Sequence, residues 1–278
     1  MTTPNAIHFG PRLVGTPTGK LRAALLVRPS IAIEAATPLQ GEPGSVYTRA
    51  LEAHEVLRKT IEFFGVETIV LESTRFDARE AAVADNAVAF EDGALVMRPS
   101  EMSRRGEADR IEAEFAKLDV PLAGHIAAPG LLDGGDVLLV GRTAFIGNGS
   151  RGNALGRRGF ASVAQAHGYA VIEVLLAAEA PPLRTVAGAL ASDTVVIARD
   201  LVDPAAFSGF KTVILERGEA MAAGVLVLGE RHVIADVRYR TALAQMRKAG
   251  IVVEGIDCYD FEKVGITPSM LALALKRD

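Results

Sequence analysis

Apolar positions along this chain change their period in a recurring way. A short run rich in Val, Ile, Leu and Ala is followed by a polar loop carrying arginine, then by apolar residues spaced three and four apart, then by a second short apolar run. Leu21 to Arg28 reads as a buried strand with its exit loop, and Ala50, Leu51, His54, Leu57, Ile61 and Phe64 share one helical face. Gly65 stops that helix and Glu67 to Leu71 is the returning strand. A second unit runs from Gly93 to Arg98 through a Ser- and Arg-rich loop into a helix with the stripe Ile111, Phe115 and Leu118. A third opens at Asp136 to Arg142, passes Phe145, enters a helix near Asn153 and leaves through Gly168 into Tyr169 to Val174. A shorter fourth spans Leu183 to Glu216, and a fifth runs from Val225 through Ala242 to Ala249 and on to Ile256. Unequal repeats of one plan predict an α/β fold made as a closed array of five ββαβ units, whose loops converge on a central small-molecule site.

The competing architecture is a doubly wound parallel sheet with a phosphate loop straight after a strand. Gly147-Asn-Gly-Ser-Arg-Gly152 matches the G-x-G-x-x-G spacing and precedes a helix. It sits mid-chain, however, and the neutral stretch Ala170 to Ile172 stands where an acidic ribose partner is expected, so the nucleotide reading carries little weight.

Composition narrows the function classes. Thirty basic against thirty-four acidic residues give a formal charge of -4, so there is no global positive field for a phosphate backbone, and the absence of Trp removes stacking platforms. Nucleic acid is not an expected partner. No apolar run approaches the ~20 residues needed to span a bilayer, and no charged-then-apolar leader opens the chain, so a cytoplasmic protein without membrane contact is expected. The sole cysteine, Cys258, cannot form an internal disulfide and follows an apolar strand, the usual setting of an inert core thiol. The whole chain, 1–278, is read as one domain with 1–20 as an N-terminal extension, and a homo-oligomer is the default assembly.

Six segments then fall in register: Phe90-Glu-Asp-Gly-Ala94, Arg98-Pro99, Ser103-Arg-Arg-Gly-Glu107, Leu132-Asp-Gly-Gly-Asp136, Gly149-Ser-Arg-Gly-Asn153 and Phe261-Glu-Lys-Val264. In this order, over nearly the whole chain, they resemble dimethylarginine dimethylaminohydrolase and its relatives among the amidinotransferases and arginine deiminases. The resemblance implies the five-bladed pseudo-symmetric α/β propeller called the pentein fold, in agreement with the repeat count. It also implies a cysteine thiolate that attacks the guanidine carbon, a histidine that shuttles protons, carboxylates for the guanidinium and arginines for the substrate carboxylate. Here the nucleophile position falls on Ser269, or on Pro268 if the register is taken from Gly265-Ile-Thr267, and the histidine position falls on Pro182 of Pro182-Leu-Arg-Thr185.

An isolated serine needs an adjacent base to act as a nucleophile. The five histidines are His8, His54, His125, His167 and His232, and only His125 stands close in sequence to a motif. The binding half of the implied site is fuller. Glu91 and Asp92 match the carboxylate pair, Arg104 and Arg151 match the carboxylate-binding arginines, Asn86 stands where an aspartate is usual, and Asp133 stands at an acidic position. Each also has a bland reading: Glu91-Asp92 as a solvated turn, Leu132 to Asp136 as a tight turn with Asp136 structural, Asn153 as a helix N-cap, and Ser269 as a cap before an apolar tail.

The expectation is a hydrolase or lyase acting on a C–N bond of a small carboxylate-bearing, amino-acid-like substrate without the Cys/His mechanism. Glu91, Asp133 and Ser269 are its catalytic candidates, and Asn86, Phe90, Asp92, Arg104 and Arg151 its substrate-binding ones. No cofactor is expected; a variant of the reading places a divalent metal among Glu91, Asp92, Asp133 and His125. The alternatives are a non-catalytic protein that binds or senses such a ligand, and ordinary guanidine hydrolysis of arginine or methylarginine.

Overall fold

The structure, a computed structural model, describes residues 13–39, 43–74 and 76–278. His8 and residues 1–12 of the expected N-terminal extension lie outside the described residues. The first unit supplies β1 (Leu21–Val27), α1 (Tyr47–Phe63) and β2 (Glu67–Leu71). The second supplies β3 (Ala87–Ala89), β4 (Ala94–Val96), α2 (Arg105–Lys117) and β5 (Leu122–His125), and the third β6 (Val137–Val140), β7 (Thr143–Gly147), α3 (Ala154–Ala166) and β8 (Ala170–Val174). The fourth opens with the single turn α4 (Leu183–Val186) and continues through β9 (Ala187–Ala191), β10 (Thr194–Ala198) and β11 (Lys211–Leu215). The fifth holds β12 (Leu226–Gly229), β13 (His232–Asp236), α5 (Arg240–Lys248) and β14 (Val252–Ile256), and after the turn α6 (Tyr259–Glu262) the chain ends in β15 (Leu273–Arg277).

These strands form five three-stranded sheets, each with an antiparallel inner pair and a parallel outer pair. The inner strands β3, β6, β9, β12 and β15 line one central cavity, so the expected five-bladed α/β array is the observed fold. The ring closes through the chain ends: β15 pairs antiparallel with β1, Leu21 standing opposite Arg277. The apolar tail beginning at Met270 therefore becomes an inner strand, which its alternating burial allows.

The helices follow from their stripes. Ala50, His54, Leu57 and Ile61 are the buried residues of α1, and Ala108, Ile111 and Phe115 those of α2. Helices α1 and α3 both stop at a glycine in the left-handed region, Gly65 at φ +83° and Gly168 at φ +77°. The fourth unit departs from the plan. Between β10 and β11 it has only the 3₁₀ turn Pro204–Phe207, capped by the Asp203 carboxylate on the Ala205 N–H at 2.9 Å, because the segment is too short for an amphipathic helix. No described helix is long and apolar enough to cross a membrane.

Asn153 caps α3 as its sequence position suggests, accepting from the Gly156 N–H at 2.9 Å and from the Leu131 N–H at 3.1 Å. The same contact brings α3 against the loop that leads to Asp133. A Cβ at Gly156 would stand 2.1 Å from the Leu131 carbonyl oxygen, so the helix approaches that loop only as a glycine. Alanine within a helix ordinarily gains ~1 kcal/mol over glycine. Here Gly156→Ala is expected to reverse that sign and to destabilise by about 2 kcal/mol, read as a lower urea midpoint.

Candidate functional site

A pocket of about 380 Å³ opens at one mouth of the ring. Its walls come from the segments that lead into the five inner strands: Arg79 before β3, Asp136 before β6, Pro182 before β9, Met221 before β12 and Gly265 before β15. Arg151, from the loop between β7 and α3, closes one side.

Beneath this pocket lies a fully buried ion pair. Asp85 accepts from Arg104 Nη1 at 2.6 Å and from the Gly135 N–H at 3.0 Å. Arg104 forks onto the Glu107 carboxylate at 2.9 and 2.7 Å and donates to the Arg79 and Ala82 carbonyls. Burial opposes ionisation of Asp85, but the Arg104 and Arg79 guanidiniums outweigh it and hold the carboxyl below its usual range. Arg104 is therefore committed to the protein, and the structure does not offer it to a substrate carboxylate as its motif suggested.

Arg79 takes the place next to the pocket. Its Nη2 stands 3.5 Å from Asp85 and its Nη1 donates to the Val264 carbonyl, while Nε and Nη2 are buried with no hydrogen bond among the described residues. Burial pulls this guanidinium down to about 10, with Arg151 and Arg104 adding repulsion that Asp85 opposes. Arg151 Nη1 and Asp133 Oδ2 are likewise buried, 3.7 Å apart, without a hydrogen bond among the described residues. Four orphaned polar atoms on three side chains of both signs are the polar groups a charged ligand would satisfy.

The turn Asp133 to Asp136 aims two carboxyls here. Asp133 Oδ1 accepts from the Ser100 N–H at 2.7 Å, and burial followed by Asp85 pushes the group up to about 6. Asp136 Oδ1 accepts from the Leu183 N–H at 2.8 Å, and burial pushes this carboxyl up to about 7. Of the two, Asp136 lines the pocket, beside Pro182. The turn needs its glycines. A Cβ at Gly135 would stand 2.5 Å from Asp85 Oδ1, 3.1 Å from Met270 Cε and 3.5 Å from Pro182 Cβ.

Met270, not Ser269, is thus the side chain that reaches this turn. Ser269 faces the other way, into the axial cavity, where its hydroxyl donates to the Arg184 carbonyl at 3.1 Å and pairs with Thr267 at 3.0 Å. No carboxylate or imidazole hydrogen-bonds Ser269 among the described residues, so its hydroxyl has no base.

Glu91, Asp92 and Phe90 also stand apart from the cluster. β3 separates them from Asp85 and carries the chain along the axis by ~3.4 Å per residue, so they occupy the opposite end of that strand. Phe90 is buried and stacks on His167 at 4.5 Å, Asp92 is exposed and bonds His167 Nε2 at 2.6 Å, and Glu91 lies 4.0 Å from Arg142. Asn86 is buried next to Asp85, donating to Glu107 at 3.0 Å with Oδ1 unpartnered, so the charge expected at its position stands one residue earlier.

The metal variant loses its geometry for the same reason. His125 pairs with Glu112 on the surface, and among the described residues no three His, Cys, Asp or Glu side chains form a metal-binding group. Cys258 is fully buried, its thiol pushed well up by burial and by Asp236. His54, buried in α1, is pulled down to about 4 by burial and Arg28, the behaviour of a neutral core imidazole.

Five three-stranded blades, four of them of the ββαβ plan, with a carboxylate- and arginine-lined pocket at the mouth define a pentein-type protein. No family model matches the chain. It is 31% identical over 238 residues to the N(G),N(G)-dimethylarginine dimethylaminohydrolase of Streptomyces coelicolor, covering 84% of this chain and 85% of that protein. The Pseudomonas aeruginosa protein of the same description is 26% identical over 227 residues, covering 82% and 89%. The chain belongs to the dimethylarginine dimethylaminohydrolase family. Among solved structures, a cysteine-to-serine variant of the Pseudomonas aeruginosa enzyme complexed with citrulline matches with a TM-score of 0.83 at 23% identity, over 91% of this chain and 99% of that one. SxtG, an amidinotransferase from Microseira wollei, matches with a TM-score of 0.75 at 13% identity, over 96% and 97%.

Two outcomes follow for the buried charges. A raised carboxyl pKa means that the folded state holds its proton more tightly than the unfolded one. The resulting destabilisation is absent below the ordinary value of 3.8 and complete above about 7 for Asp136. Asp136→Asn is therefore expected to raise Tm relative to the wild type at about pH 8, the difference shrinking towards about pH 5, in paired thermal melts. Arg104→Met strands the Asp85 carboxylate and is expected to cost about 3–5 kcal/mol in urea unfolding.

Proposed function

We propose that this protein hydrolyses a C–N bond of a small zwitterionic, amino-acid-like substrate in the pocket lined by Arg79, Asp136 and Arg151, with a carboxyl in place of thiolate and imidazole. The observation that carries the reading is Asp136. It lines the pocket with a carboxyl held near neutrality, beside the position where the family resemblance puts the proton-shuttling histidine. A general base is most effective when its pKa lies near the working pH. Oδ1 is fixed by the Leu183 N–H, which leaves Oδ2 as the oxygen available for proton transfer.

Arg79 and Arg151 supply donors for a carboxylate, and Asp133 supplies negative charge for a cationic group. In the proposed step, Asp136 Oδ2 takes a proton from water as its oxygen bonds to the substrate carbon. The same proton passes to the nitrogen as the C–N bond breaks, so the amine leaves neutral and the carboxylate is regenerated. Ser269 and Glu91 have no role in this step. Among the described residues the pocket lining holds no cysteine or histidine, which is why the thiol mechanism of ordinary guanidine hydrolysis is not assigned to it. We further propose that residues 1–278 act as one domain, in the cytoplasm, without a resident cofactor or metal.

The test is mass-spectrometric turnover of a panel of arginine, methylarginine, citrulline, N-carbamoyl and N-acyl amino acids. Product is expected to exceed the enzyme many-fold, with kcat rising as pH rises through about 7, the direction required of a base that must ionise. Asp136→Asn should lower kcat by about 10²-fold or more while leaving the protein folded, and Asp133→Asn should raise KM more than it lowers kcat. Full activity of Asp136→Asn sinks the proton-transfer role. Saturable binding of an unchanged ligand, without product, replaces the enzyme with a binding protein.

A further inference from the structure

A second cavity, of about 110 Å³, lies on the axis, on the far side of Ser269 from the pocket described above. Its walls are the inner strands β3, β6, β9, β12 and β15, which present small aliphatic residues such as Ala87, Ala187 and Val227. Two guanidiniums, Arg184 and Arg277, enter this apolar space.

Neither has a carboxylate partner among the described residues. Arg184 Nη2 donates to the Ser269 carbonyl, and Arg277 donates to the Gly19 carbonyl at 2.9 Å and the Val227 carbonyl at 2.8 Å. Three of the ten guanidinium donors are thus accounted for, all by neutral acceptors. Arg277 is buried. Arg184 lies deep in the protein yet keeps accessible surface, as a side chain facing a cavity does.

Two like charges in an apolar cavity, with no carboxylate bonded to either among the described residues, are costly unless something of opposite charge joins them. Burial pulls both groups down, to about 10 for Arg184, where the Asp85 carboxylate opposes it in part, and to about 9 for Arg277, to which Arg184 adds its own repulsion. Guanidinium nevertheless stays protonated at neutral pH, so the cavity keeps its positive field. A space of about 110 Å³ accommodates a halide or a short carboxylate.

We propose that the axial cavity is a binding site for a small monoanion held between the guanidiniums of Arg184 and Arg277. The site is separate from the acidic pocket and stands whether or not that pocket is catalytic. Ser269 lies at the boundary: its carbonyl holds Arg184, and the next residue, Met270, packs on the Asp133 to Asp136 turn.

The experiment uses the full chain dialysed into sodium gluconate, whose bulky, strongly hydrated anion is the reference. Sodium chloride or sodium propionate is then titrated in at constant ionic strength. A ligand that binds only the folded state raises Tm in a saturable way. A rise of a few degrees in at least one of the two salts is expected, chloride alone identifying a halide site and propionate alone a carboxylate site. The rise should vanish in Arg184→Gln and in Ala189→Leu, which fills the cavity wall without touching a charge. Chloride-35 NMR provides a readout independent of the variants: excess linewidth in the wild type, displaced by propionate. Identical melting in all three salts, absence of excess linewidth, or an undiminished rise in a folded Arg184→Gln protein would each overturn the proposal.

Discussion

Asp85 and Arg104 form the contact on which the candidate site depends. The carboxylate accepts from Arg104 and from the Gly135 N–H, so one buried group ties the entry to β3, the start of α2 and the turn that carries Asp133 and Asp136. A buried ion pair is weak as a source of stability, since desolvation offsets most of the attraction, but it is demanding in geometry. Arg104 meets the demand with a fork onto Glu107 and two backbone carbonyls, and Gly135 meets it by having no side chain. The same negative charge propagates upward: after burial, Asp85 is the next influence raising the pKa of Asp133. Structural charge and chemical charge in this protein are parts of one network.

Much of the fold was legible because it is written in local period. Strand and helix alternation, the stops at Gly65 and Gly168 and the Asn153 cap all depend on neighbours within a few residues. Closure through β15 was not legible, since Met270 to Leu275 reads as an apolar tail until its partner, some 250 residues away in sequence, is known. The missing helix of the fourth unit was concealed by its length, with Pro204 permitting a turn and little else.

The site was legible in part, and the division is physical. Asp136 stands at the mouth of the ring because a tight turn leads into an inner strand there, and Arg151 because the loop from β7 to α3 runs along the same mouth. Glu91 and Asp92 were misplaced because three residues of β3 are enough to move a carboxylate from one end of the array to the other, and motif register carries no information about direction along the axis. Arg79 and Asp85 gave no signal: an arginine in a polar loop and an aspartate beside an alanine run look like surface residues until burial is known. Asp136, assigned to the turn alone, proved to be both a backbone acceptor and a pocket wall.

The pairing of β15 with β1 has a consequence for how the chain is made. Four blades draw their strands from consecutive segments and can assemble as they leave the ribosome, but β1 emerges early and lacks its inner neighbour until Leu273–Arg277 has been synthesised. Throughout elongation the first blade therefore presents an unpaired, largely buried-type strand edge, the kind of surface on which chains aggregate. Ring closure thus waits until β15 is available to pair with β1.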